Sequence, residues 1–582
     1  MLTRADSLPV IVENFLAHLE KAVADDTDGL RALFHDDCYW RDVLALTWRI
    51  TTVHGRNAVV SGLNEHARKA RPRNFRIAQD RTPPRNVMRA GTDAIEAIFS
   101  FETADGIGSG VVRLTPDAND RNDLRAWTLL TTLDEITARQ QPEPPPKAYS
   151  RDFRGPNWLD VRNATAAYTD RDPTVLVVGG GHAGLSTAAR LKVLGVDTLI
   201  VDRGERIGDN WRKRYHALVL HNQVHVNHLP LMPFPPTWPT YIPKDKLAGW
   251  FESYVESLEL NYWTSIEFLG GSYDASAKRW AVTLKRGNGT IREMHPRYIV
   301  MATGVSGIPS IPAIATLENF KGTVQHSHQY TDSEAWKGKN ALIIGTGNSG
   351  HDIAQDLYSA GAHVTMAQRS STMVVNVEPS AQLPYALYSE GPSLEDCDLI
   401  TTATPTALAR KTHIALTQQA KAMDQDLLDG LTRRGFKLDF GDDGSGWQFK
   451  YLTRGGGYYF NVGCSDLIVD GKVGLIQFAD IGSFTADGAK LRNGETLPAD
   501  LIVLATGYMG LEAMVEKLFG AEVAKRVGPI WGFGDGQELR NLFARTPQPG
   551  LYFIAGSLAQ CRIYSKYLGL QIKAQELGLI GS

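Results

Sequence analysis

Cysteine is scarce in this sequence, and its few cysteines are far apart. Only four occur in 582 residues, and no two of them form a C-x-x-C pair. A disulfide framework, a zinc site built from thiolates and a dithiol redox centre all need cysteines at close spacing. The sequence therefore excludes these three classes and is typical of a protein from a reducing compartment.

Charge of one sign and long apolar runs are also missing. Lys and Arg number 61 against 64 Asp and Glu, so the net charge is −3, whereas a dedicated nucleic-acid binder usually carries a basic excess. No run of about 18 uncharged apolar residues is present, and the first residues lack the apolar core of a secretory signal. We therefore expect no nucleic-acid partner, no membrane partner and a cytoplasmic location.

Glycine, in contrast, is abundant. The chain has 55 glycines, where the usual share of about 7% would give about 41. Because there is no Gly-X-Y period and no Ser/Gly linker, collagen and most low-complexity structures are excluded. The surplus points to tight backbone turns, and two glycine-rich turns each follow an apolar strand.

The first of these turns has Gly179, Gly181 and Gly184 at the G-x-G-x-x-G spacing. Such glycines permit a tight turn, the close approach of a pyrophosphate and the packing of a helix on a strand, while the helix N-terminus attracts phosphates. The next strand ends on Asp202, whose carboxylate can accept hydrogen bonds from a ribose. The pattern favours a dinucleotide with a free ribose diol, and packing glycines are the alternative.

The second turn, GTGNSG at residues 345–350, repeats this spacing, but its second strand ends differently. In place of Asp202 it offers Arg369, Ser370 and Ser371. A carboxylate repels a 2′-phosphate, whereas a guanidinium and hydroxyls hold one. The second turn therefore favours NADPH, and a solvated surface arginine is the alternative for Arg369. An A-T-G segment also follows two apolar strands, at 302–304 and 505–507, where glycine lets the backbone cross close to a nucleotide.

Further motifs surround the second turn. Residues 320–330 have the spacing F-x-G-x-x-x-H-x-x-x-Y with His326 as the histidine, and an A-T-G-Y segment ends at Tyr508. With GDNWRKRY and GGGYYFNVGCSDLI, these motifs make the segment from about 172 to 582 resemble the class B flavoprotein monooxygenases, which include flavin-containing monooxygenases, the plant YUCCA enzymes and Baeyer–Villiger enzymes.

The resemblance implies an activity. FAD at the first turn would be reduced by NADPH, or alternatively NADH, at the second. One oxygen atom of O2 would then enter a small organic substrate through a (hydro)peroxyflavin, by Baeyer–Villiger oxidation of ketones or by N- or S-oxygenation. Thr331 matches neither subclass, so that choice stays open. Two other functions are a pyridine-nucleotide-dependent flavoprotein reductase, whose disulfide-reducing members need the missing dithiol, and a non-catalytic flavin- or nucleotide-sensing protein.

Three residues are candidate catalytic groups. His221 and Asn222 fall where the family carries an asparagine beside the flavin. The resemblance implies that His221 donates a hydrogen bond to the peroxide or holds the nicotinamide amide, and a strand-edge histidine is the alternative. His326 is the third candidate, although it could instead link the two nucleotide domains. We predict no metal site, because HNQVHVNH lies in a predicted loop without a partner acid.

The first 138 residues read as helices followed by extended segments, which predicts an α+β unit with a curved sheet. The stretch LFHDDCYWRDVLALTWRITTVHGRNAVV resembles the cone-shaped SnoaL-like and nuclear-transport-factor-like domains, as in type II flavin-containing monooxygenases. Trp40, Asp42, Trp48 and His54 could line a pocket there or be ordinary core aromatics and caps. Because cone domains often pair, a homo-oligomer, in the simplest case a homodimer, is consistent with this resemblance.

The predicted fold class is α/β, with two Rossmann-like dinucleotide-binding domains for FAD and NADPH preceded by the α+β cone. The predicted boundaries are 1–138 for the cone, 139–171 for a Pro-rich linker, 172–330 and 486–582 for the two parts of the FAD domain, and 331–485 for the NADPH domain. The candidate cofactor-binding residues lie at the two turns, the strand ends, the GDNWRKRY segment and the A-T-G segments: Gly179, Gly181, His182, Ala183, Gly184, Asp202, Arg203, Trp211, Arg212, Thr303, Gly304, Gly345, Thr346, Gly347, Asn348, Ser349, Gly350, Arg369, Ser370, Ser371, Thr506 and Gly507.

Overall fold

The structure, a computed structural model, describes residues 7–117, 120, 123–138 and 153–581. The described chain forms an N-terminal unit and two nucleotide units, each built around its own sheet. None of the helices in these ranges combines the length and the apolar character of a membrane span.

The N-terminal unit is a mixed sheet with three helices. Its elements are α1 Leu8–Asp25, α2 Thr27–Ala32, β1 Phe34–Val43, β2 Ile50–His54, α3 Arg56–Ala70, β3 Arg73–Ile77, β4 Arg85–Arg89, β5 Thr92–Glu102, β6 Gly106–Pro116 and β7 Leu124–Ile136.

The sheet of this unit has the order β2-β1-β7-β6-β5-β3, with β4 also beside β5. The pair β1–β7 is parallel, whereas the other pairs are antiparallel. Helix α1 presents Val12, Phe15, Leu16 and Leu19 at helical spacing, and all four are buried against the sheet. The helices lie in the first half of the unit, but β1 and β2 precede α3, so the predicted order of helices followed by strands holds only in part.

The predicted linker only partly lies within the described chain. Residues 139–152 lie outside the described residues, and helix α4, Trp158–Ala167, follows. The indole of Trp158 donates to Glu259 at 2.8 Å, and Tyr168 just after the helix is fully buried. The described end of the segment therefore packs as part of the first nucleotide unit.

The first nucleotide unit takes most of its elements from the segment after α4 and its last ones from the C-terminal end of the chain. They are β8 Val175–Val178, α5 His182–Val193, β9 Thr198–Val201, α6 Asp209–Arg212, β10 Val219–Gln223, β11 Tyr241–Pro243, α7 Lys244–Ser257, β12 Asn261–Trp263, β13 Ile266–Asp274, β14 Arg279–Arg286, β15 Ile291–Met294, β16 Tyr298–Met301, β27 Leu551–Phe553 and α16 Leu558–Glu576.

In the chain, the second nucleotide unit lies between strands β16 and β27 of the first unit. Its elements, with two helices that lead back to the first unit, are β17 Thr323–His326, β18 Asn340–Ile344, α8 Asn348–Ser359, β19 His363–Gln368, β20 Met373–Asn376, α9 Leu394–Thr402, α10 Thr406–Met423, α11 Gln425–Arg433, α12 Gly446–Arg454, β21 Tyr458–Asn461, α13 Cys464–Val469, β22 Gly474–Gln477, β23 Ile481–Thr485, β24 Gly488–Leu491, β25 Thr496–Pro498, β26 Leu501–Leu504, α14 Leu511–Phe519 and α15 Ala521–Val527.

Each nucleotide unit has a five-stranded parallel sheet. The orders are β12-β9-β8-β16-β27 in the first unit and β17-β26-β18-β19-β22 in the second. The inner strands β8, β9, β16 and β26 are apolar runs buried on both faces, as is typical of parallel sheets. The predicted α/β class with two dinucleotide-binding folds is confirmed.

Two predicted boundaries disagree with the strand pairing. The boundary at 330/331 placed β17 in the first unit, and the boundary at 485/486 placed β24, β25 and β26 there. Strands β17 and β26 are hydrogen-bonded into the second sheet, where β26 lies between β17 and β18, and β24 pairs with β23 and β25. The sequence could not show this, because an apolar strand followed by A-T-G looks the same in either sheet.

Candidate active site

The first nucleotide turn, residues 179–184, connects β8 to α5. Gly179 has a φ of +107°, a conformation that side chains disfavour. A β-carbon placed there would lie 2.5 Å from the carbonyl oxygen of Ala302, and one on Gly184 would overlap the carbonyl oxygen of Gly179. The turn therefore requires glycine at both positions, and the backbone of the first A-T-G segment packs against Gly179.

The second nucleotide turn, residues 345–350, repeats this construction between β18 and α8. Gly345 has a φ of +120°, and a β-carbon there would overlap the carbonyl oxygen of Ala505. A β-carbon on Gly350 would overlap the carbonyl oxygen of Gly345. The alanine of each A-T-G segment thus packs against the first glycine of one turn. Thr506 and Gly507 come directly after this alanine, past the end of strand β26.

The carboxylate predicted to meet a ribose is held in place by the backbone. Asp202 accepts hydrogen bonds from the N–H groups of Gly180 and Gly204, both at 2.7 Å. The neighbouring Arg203 is exposed. These bonds orient the carboxylate at the carboxyl end of β9, beside the first turn.

Buried polar atoms beside the first turn test whether a polar cofactor fits there. The indole nitrogen of Trp211, the hydroxyl of Thr303 and Nδ1 of His182 are buried and have no hydrogen-bond partner among the described residues. The rings of His182 and Trp211 lie 6.3 Å apart. Because such groups are costly to leave unsatisfied, their cluster at a pyrophosphate-type turn fits FAD. Arg212 differs, since its guanidinium bonds to Asp209 and to the carbonyl of Ile207 within the loop.

The residues predicted to bind the second nucleotide also lie together, at the carboxyl ends of β18 and β19. Arg369 and Ser370 are exposed, and the guanidinium of Arg369 lies 3.4 Å from the hydroxyl of Ser370. The hydroxyl of Ser371 donates to Asp439 at 3.3 Å, which also pairs with Lys450 at 2.5 Å. The Asp439–Lys450 pair was not predicted, because it comes from a segment about 70 residues away.

Other residues of the second turn bond within the protein. The hydroxyl of Thr346 lies 2.7 Å from that of Thr372, and the side-chain oxygen of Asn348 accepts from the backbone of Phe460 at 3.0 Å. The segment of β21 that contains Phe460 is therefore tied to the N-terminus of α8. Ser349 lies on the first turn of that helix.

His326 lies on β17 and is 1% exposed. Its Nε2 lies 3.0 Å from the carbonyl oxygen of Gly507, and its ring meets Tyr508 edge-to-face at 5.4 Å. Its Nδ1 lies 3.0 Å from Nδ1 of His328, and burial lowers the pKa of His326. These contacts join two sequence motifs at the end of the second sheet and give His326 a structural role there.

His221 and Asn222 lie on strand β10, not in a loop as the sequence indicated. The imidazole of His221 is exposed, yet desolvation by the surrounding protein lowers its pKa to about 4. Its ring meets Phe460 edge-to-face at 4.5 Å, and Asn222 donates to the hydroxyl of Tyr385 at 3.1 Å.

Tyr385 was not singled out from the sequence, and Phe460 only as part of the GGGYYFNVGCSDLI motif, since aromatic residues that lie so far from β10 along the chain give no local signal of a contact with it. Beyond them, the described residues contain no group of three or more His, Cys, Asp or Glu side chains arranged to hold a metal ion.

The four N-terminal candidates are not arranged around one pocket. Trp40 is fully buried, and its indole donates to Thr131 at 3.0 Å. Asp42 is also fully buried and accepts from the backbone of residues 46–47, while Trp48 is 7% exposed. His54 is exposed and bonds to Asp37 at 2.6 Å, so it does not line an interior pocket. The first three are core aromatics and a cap.

Comparisons with known proteins place this geometry among relatives. The profile of the family described as "Pyridine nucleotide-disulphide oxidoreductase" matches residues 176–388. The chain is 30% identical over 339 residues to the "Indole-3-pyruvate monooxygenase YUCCA1" of Oryza sativa subsp. japonica, which covers 58% of this chain and 77% of that protein. It is 28% identical to the "Probable indole-3-pyruvate monooxygenase YUCCA10" of Arabidopsis thaliana, over 58% of this chain and 82% of that protein.

The fold is also similar to solved structures of cyclohexanone monooxygenase. The cyclohexanone-bound form in the Rotated conformation has a TM-score of 0.53 at 16% identity, and the alignment covers 70% of this chain and 88% of that chain. The ε-caprolactone-bound form in the Loose conformation has a TM-score of 0.51 at 17% identity, with the same coverage. At this identity the likeness establishes the fold alone.

Proposed function

This chain belongs to the flavin-dependent monooxygenase family, and from that premise we propose how its own residues carry out FAD- and NADPH-dependent insertion of one oxygen atom of O2 into a small organic substrate. The observation that carries the proposal is the pair of nucleotide turns with the same backbone construction. The first turn, with the unpartnered indole N–H of Trp211, hydroxyl of Thr303 and Nδ1 of His182, holds FAD. The second turn, with Arg369 at the strand end, holds NADPH.

Bound FAD supplies the redox chemistry, because it accepts hydride from NADPH and reacts with O2. The protein orients the two nucleotides through the backbone of the turns and the carboxylate of Asp202. His326 keeps the A-T-G-Y segment in place through the carbonyl of Gly507. In this proposal His326 is a positioning residue.

We place His221 on the flavin side of the site, at the position where the family carries an asparagine. Because its pKa is lowered to about 4, its imidazole is neutral at pH 7 and presents one N–H donor and one nitrogen acceptor. We propose that this neutral ring hydrogen-bonds the reacting oxygen or the nicotinamide amide, with Asn222 fixed beside it by Tyr385. A neutral donor there is compatible with either ketone oxidation or N- and S-oxygenation.

The test is product formation with isotopically labelled O2. The FAD-loaded protein is supplied with NADPH and a substrate panel that includes indole-3-pyruvate and cyclohexanone, the compounds in its relatives' names, together with a thioether and a tertiary amine. We expect substrate-dependent NADPH oxidation and one labelled oxygen atom in the product. Substrate-dependent NADPH oxidation without label in any product would overturn the proposal.

The role of His221 has its own control. His221→Phe removes both ring nitrogens and should lower the rate of product formation. Reduction of bound FAD by NADPH in the absence of O2 should persist if the ring contacts the reacting oxygen and should slow if the ring holds the nicotinamide amide. His225→Phe changes a nearby, half-buried histidine in the same way and should leave product formation near that of the wild type. Equal losses in both variants would remove His221 from the active site.

The finer assignments complete the proposal. A mixed sheet covered by three helices supports a SnoaL-like identity for the N-terminal unit and membership of the type II flavin-containing monooxygenases. All four cysteines lie in the described residues as free, buried thiols, which supports a cytoplasmic location. The homo-oligomer, in the simplest case a homodimer, rests on the pairing habit of such domains and is tested by light scattering of the purified protein.

A further inference from the structure

The N-terminal unit holds one helix of the catalytic body at both ends. That helix is α9, Leu394–Thr402. Near its C-terminus, Arg113 donates to the carbonyls of Ile400 and Ala403 at 3.2 and 3.1 Å, and Arg41 donates to the carbonyl of Thr402 at 2.7 Å. Cationic donors at the last carbonyls satisfy groups that a helix leaves unpaired and complement its dipole.

The N-terminal end of α9 is held in the same way. Asp396, 3% exposed, accepts from the guanidinium of Arg81 at 2.8 Å. It also accepts from the backbone and hydroxyl of Thr82 at 2.8 and 2.6 Å. Leu399 and Ile400 between these ends belong to the hydrophobic core of the N-terminal unit. The helix is therefore fixed along its whole length by the N-terminal unit.

The exposed charge of this interface is small. Arg113 is 1% exposed and pairs with Glu96 at 2.9 Å, which is 2% exposed. Arg41 is 7% exposed and pairs with Glu538 of the first nucleotide unit at 2.7 Å. Buried pairs of this kind specify a geometry rather than add much stability. They make the N-terminal unit part of one framework with the body.

The middle of α9 is hydrogen-bonded, through Asp398 and Arg562, to the backbone that follows strand β10. Asp398 accepts two hydrogen bonds from Arg562, at 2.8 and 2.7 Å. The remaining nitrogen of Arg562 donates to the carbonyls of Val226 and His228 at 2.7 and 2.8 Å. Between these two carbonyls, Asn227 donates to the carbonyl of Asn222 at 2.9 Å. A continuous set of bonds thus runs from α9 to the strand that carries His221 and Asn222.

Arg562 also fixes the start of helix α16, which reaches the first nucleotide turn. The carbonyl oxygen of Gly556, just before this helix, lies 2.8 Å from Nε2 of His182. Gln560, two residues before Arg562, accepts from the hydroxyl of Tyr451 at 2.7 Å. A shift of Arg562 would therefore move β10 relative to the first turn.

We propose that Asp398 and Arg562 are positioning residues through which the N-terminal unit holds His221 and Asn222 against the flavin side of the site, and that this placement determines how completely NADPH oxidation is coupled to oxygen transfer. The inference rests on the proposed function. When placement fails, NADPH and one proton reduce O2 to H2O2 with release of NADP⁺, and no oxygen atom enters the substrate.

The principal variant is Asp398→Asn in the full-length, FAD-loaded enzyme. We expect H2O2 formed per NADPH to rise by about threefold or more, since small displacements at a distance disturb reacting geometry. The rate of FAD reduction by NADPH without O2 should stay within about twofold of the wild type, because the second turn does not contact these residues. Arg562→Lys keeps the charge, so its H2O2 yield per NADPH should lie between those of Asp398→Asn and the wild type.

The matched control is Glu576→Gln, the same kind of change in an ion pair at the other end of α16. Glu576 pairs with Arg297 at 2.8 Å, far along the helix from Arg562. Coupling in this variant should equal that of the wild type. If Asp398→Asn and Glu576→Gln uncouple equally, or neither does, the positioning role is wrong.

Two further measurements keep the inference testable on its own. If Asp398→Asn does not fold, Arg81→Gln weakens the other end of the same helix at a partly exposed side chain and should uncouple in the same direction by less. Amide hydrogen exchange of residues 219–228 needs no substrate and should be faster in both variants than in Glu576→Gln. Unchanged exchange would overturn this inference, whereas absence of labelled product in the wild type would overturn the proposed function instead.

Discussion

At the position after the third glycine, the first nucleotide turn has Leu185 and the second has His351. Both side chains are completely buried, and both follow a glycine whose β-carbon would overlap the backbone of its turn. Leu185 lies in the core of the first unit, whereas His351 stacks on Tyr459 at 3.9 Å. The backbone of the two turns is therefore the same, and the side chains packed behind it differ.

The side chains at the ends of the second strands, β9 and β19, also differ between the two units. Asp202 is oriented by two backbone N–H groups, while Arg369 and Ser370 stand exposed at the end of β19. Glycine geometry fixes where a pyrophosphate lies, and the strand end selects which dinucleotide is bound. Because the two turns share a backbone but not their side chains, each can be altered without the other. Three sets of variants test whether the two turns then respond differently.

The largest effect should come from the third glycine of each turn. Gly184→Ala should lower the affinity for FAD, and Gly350→Ala should raise KM for NADPH while FAD stays bound, because each β-carbon meets backbone atoms that cannot move aside. Overpacking of about 1–3 kcal/mol corresponds to roughly fivefold to 150-fold in affinity. FAD titration of the apoprotein and steady-state kinetics measure the two effects.

Gly249→Ala is the control for both variants. It lies in α7 with open space around its α-carbon, so neither nucleotide should bind differently. If Gly350→Ala loses FAD while Gly184→Ala retains it, the two turns have been assigned to the wrong cofactors.

A smaller effect, specific to pH, should separate the second turn from the first. Burial lowers the pKa of His351 from 6.5 to about 4, so the unfolded chain binds more protons between these values. Stability is therefore complete above about pH 6.5 and is lost as the pH falls towards 4, by up to about 3 kcal/mol. His351→Leu, which copies the first turn, should reduce the fall in thermal midpoint between pH 7 and pH 5.

His363→Leu provides the comparison, because it removes an exposed histidine from the adjacent strand β19. Its thermal midpoint should show the same dependence on pH as the wild type. Parallel pH profiles for the wild type and His351→Leu would show that the buried imidazole does not control the stability of the second unit.

Much of both turns could be predicted from the sequence. The strands Val175–Val178 and Thr198–Val201 lie where the sequence predicted an apolar strand before the first turn and a second strand leading to Asp202, because each is an apolar run whose ends are set by glycine or by a charged residue. The G-x-G-x-x-G spacing also predicted the strand-turn-helix order correctly. Local chemistry determines these features, so a local pattern is enough to find them.

Long-range packing could not be predicted in this way. The placement of β26 in the second sheet depends on hydrogen bonds to β17 and β18, which no property of Leu501–Leu504 reveals. Tyr385 reaches Asn222 across more than 160 residues of chain. The contact of Arg113 with α9 joins residues almost 300 positions apart, and neither sequence segment indicates a partner.

The smallest effect should distinguish the two A-T-G threonines. The hydroxyl of Thr303 is buried without a partner in the described part of the chain, whereas that of Thr506 donates to the carbonyl of Ser310 at 2.6 Å. Since one hydrogen bond contributes about 1 kcal/mol, Thr303→Val should weaken FAD binding by about fivefold and leave the apoprotein equally stable. Thr506→Val should instead destabilise the protein by about 1 kcal/mol, with FAD affinity unchanged.

Calorimetric FAD titration and denaturant unfolding of the apoprotein measure both quantities on the wild type, the two valine variants and two serine variants, Thr303→Ser and Thr506→Ser, which retain the hydroxyl. The serine variants should keep the property that each valine variant loses. If the two valine variants lose the same property, the hydroxyls have equivalent roles, and the unpartnered atom at Thr303 does not mark the cofactor site. If Thr303→Val loses only FAD affinity and Thr506→Val loses only stability, the first A-T-G segment contacts the cofactor, and the second ties the second sheet to the segment before β17.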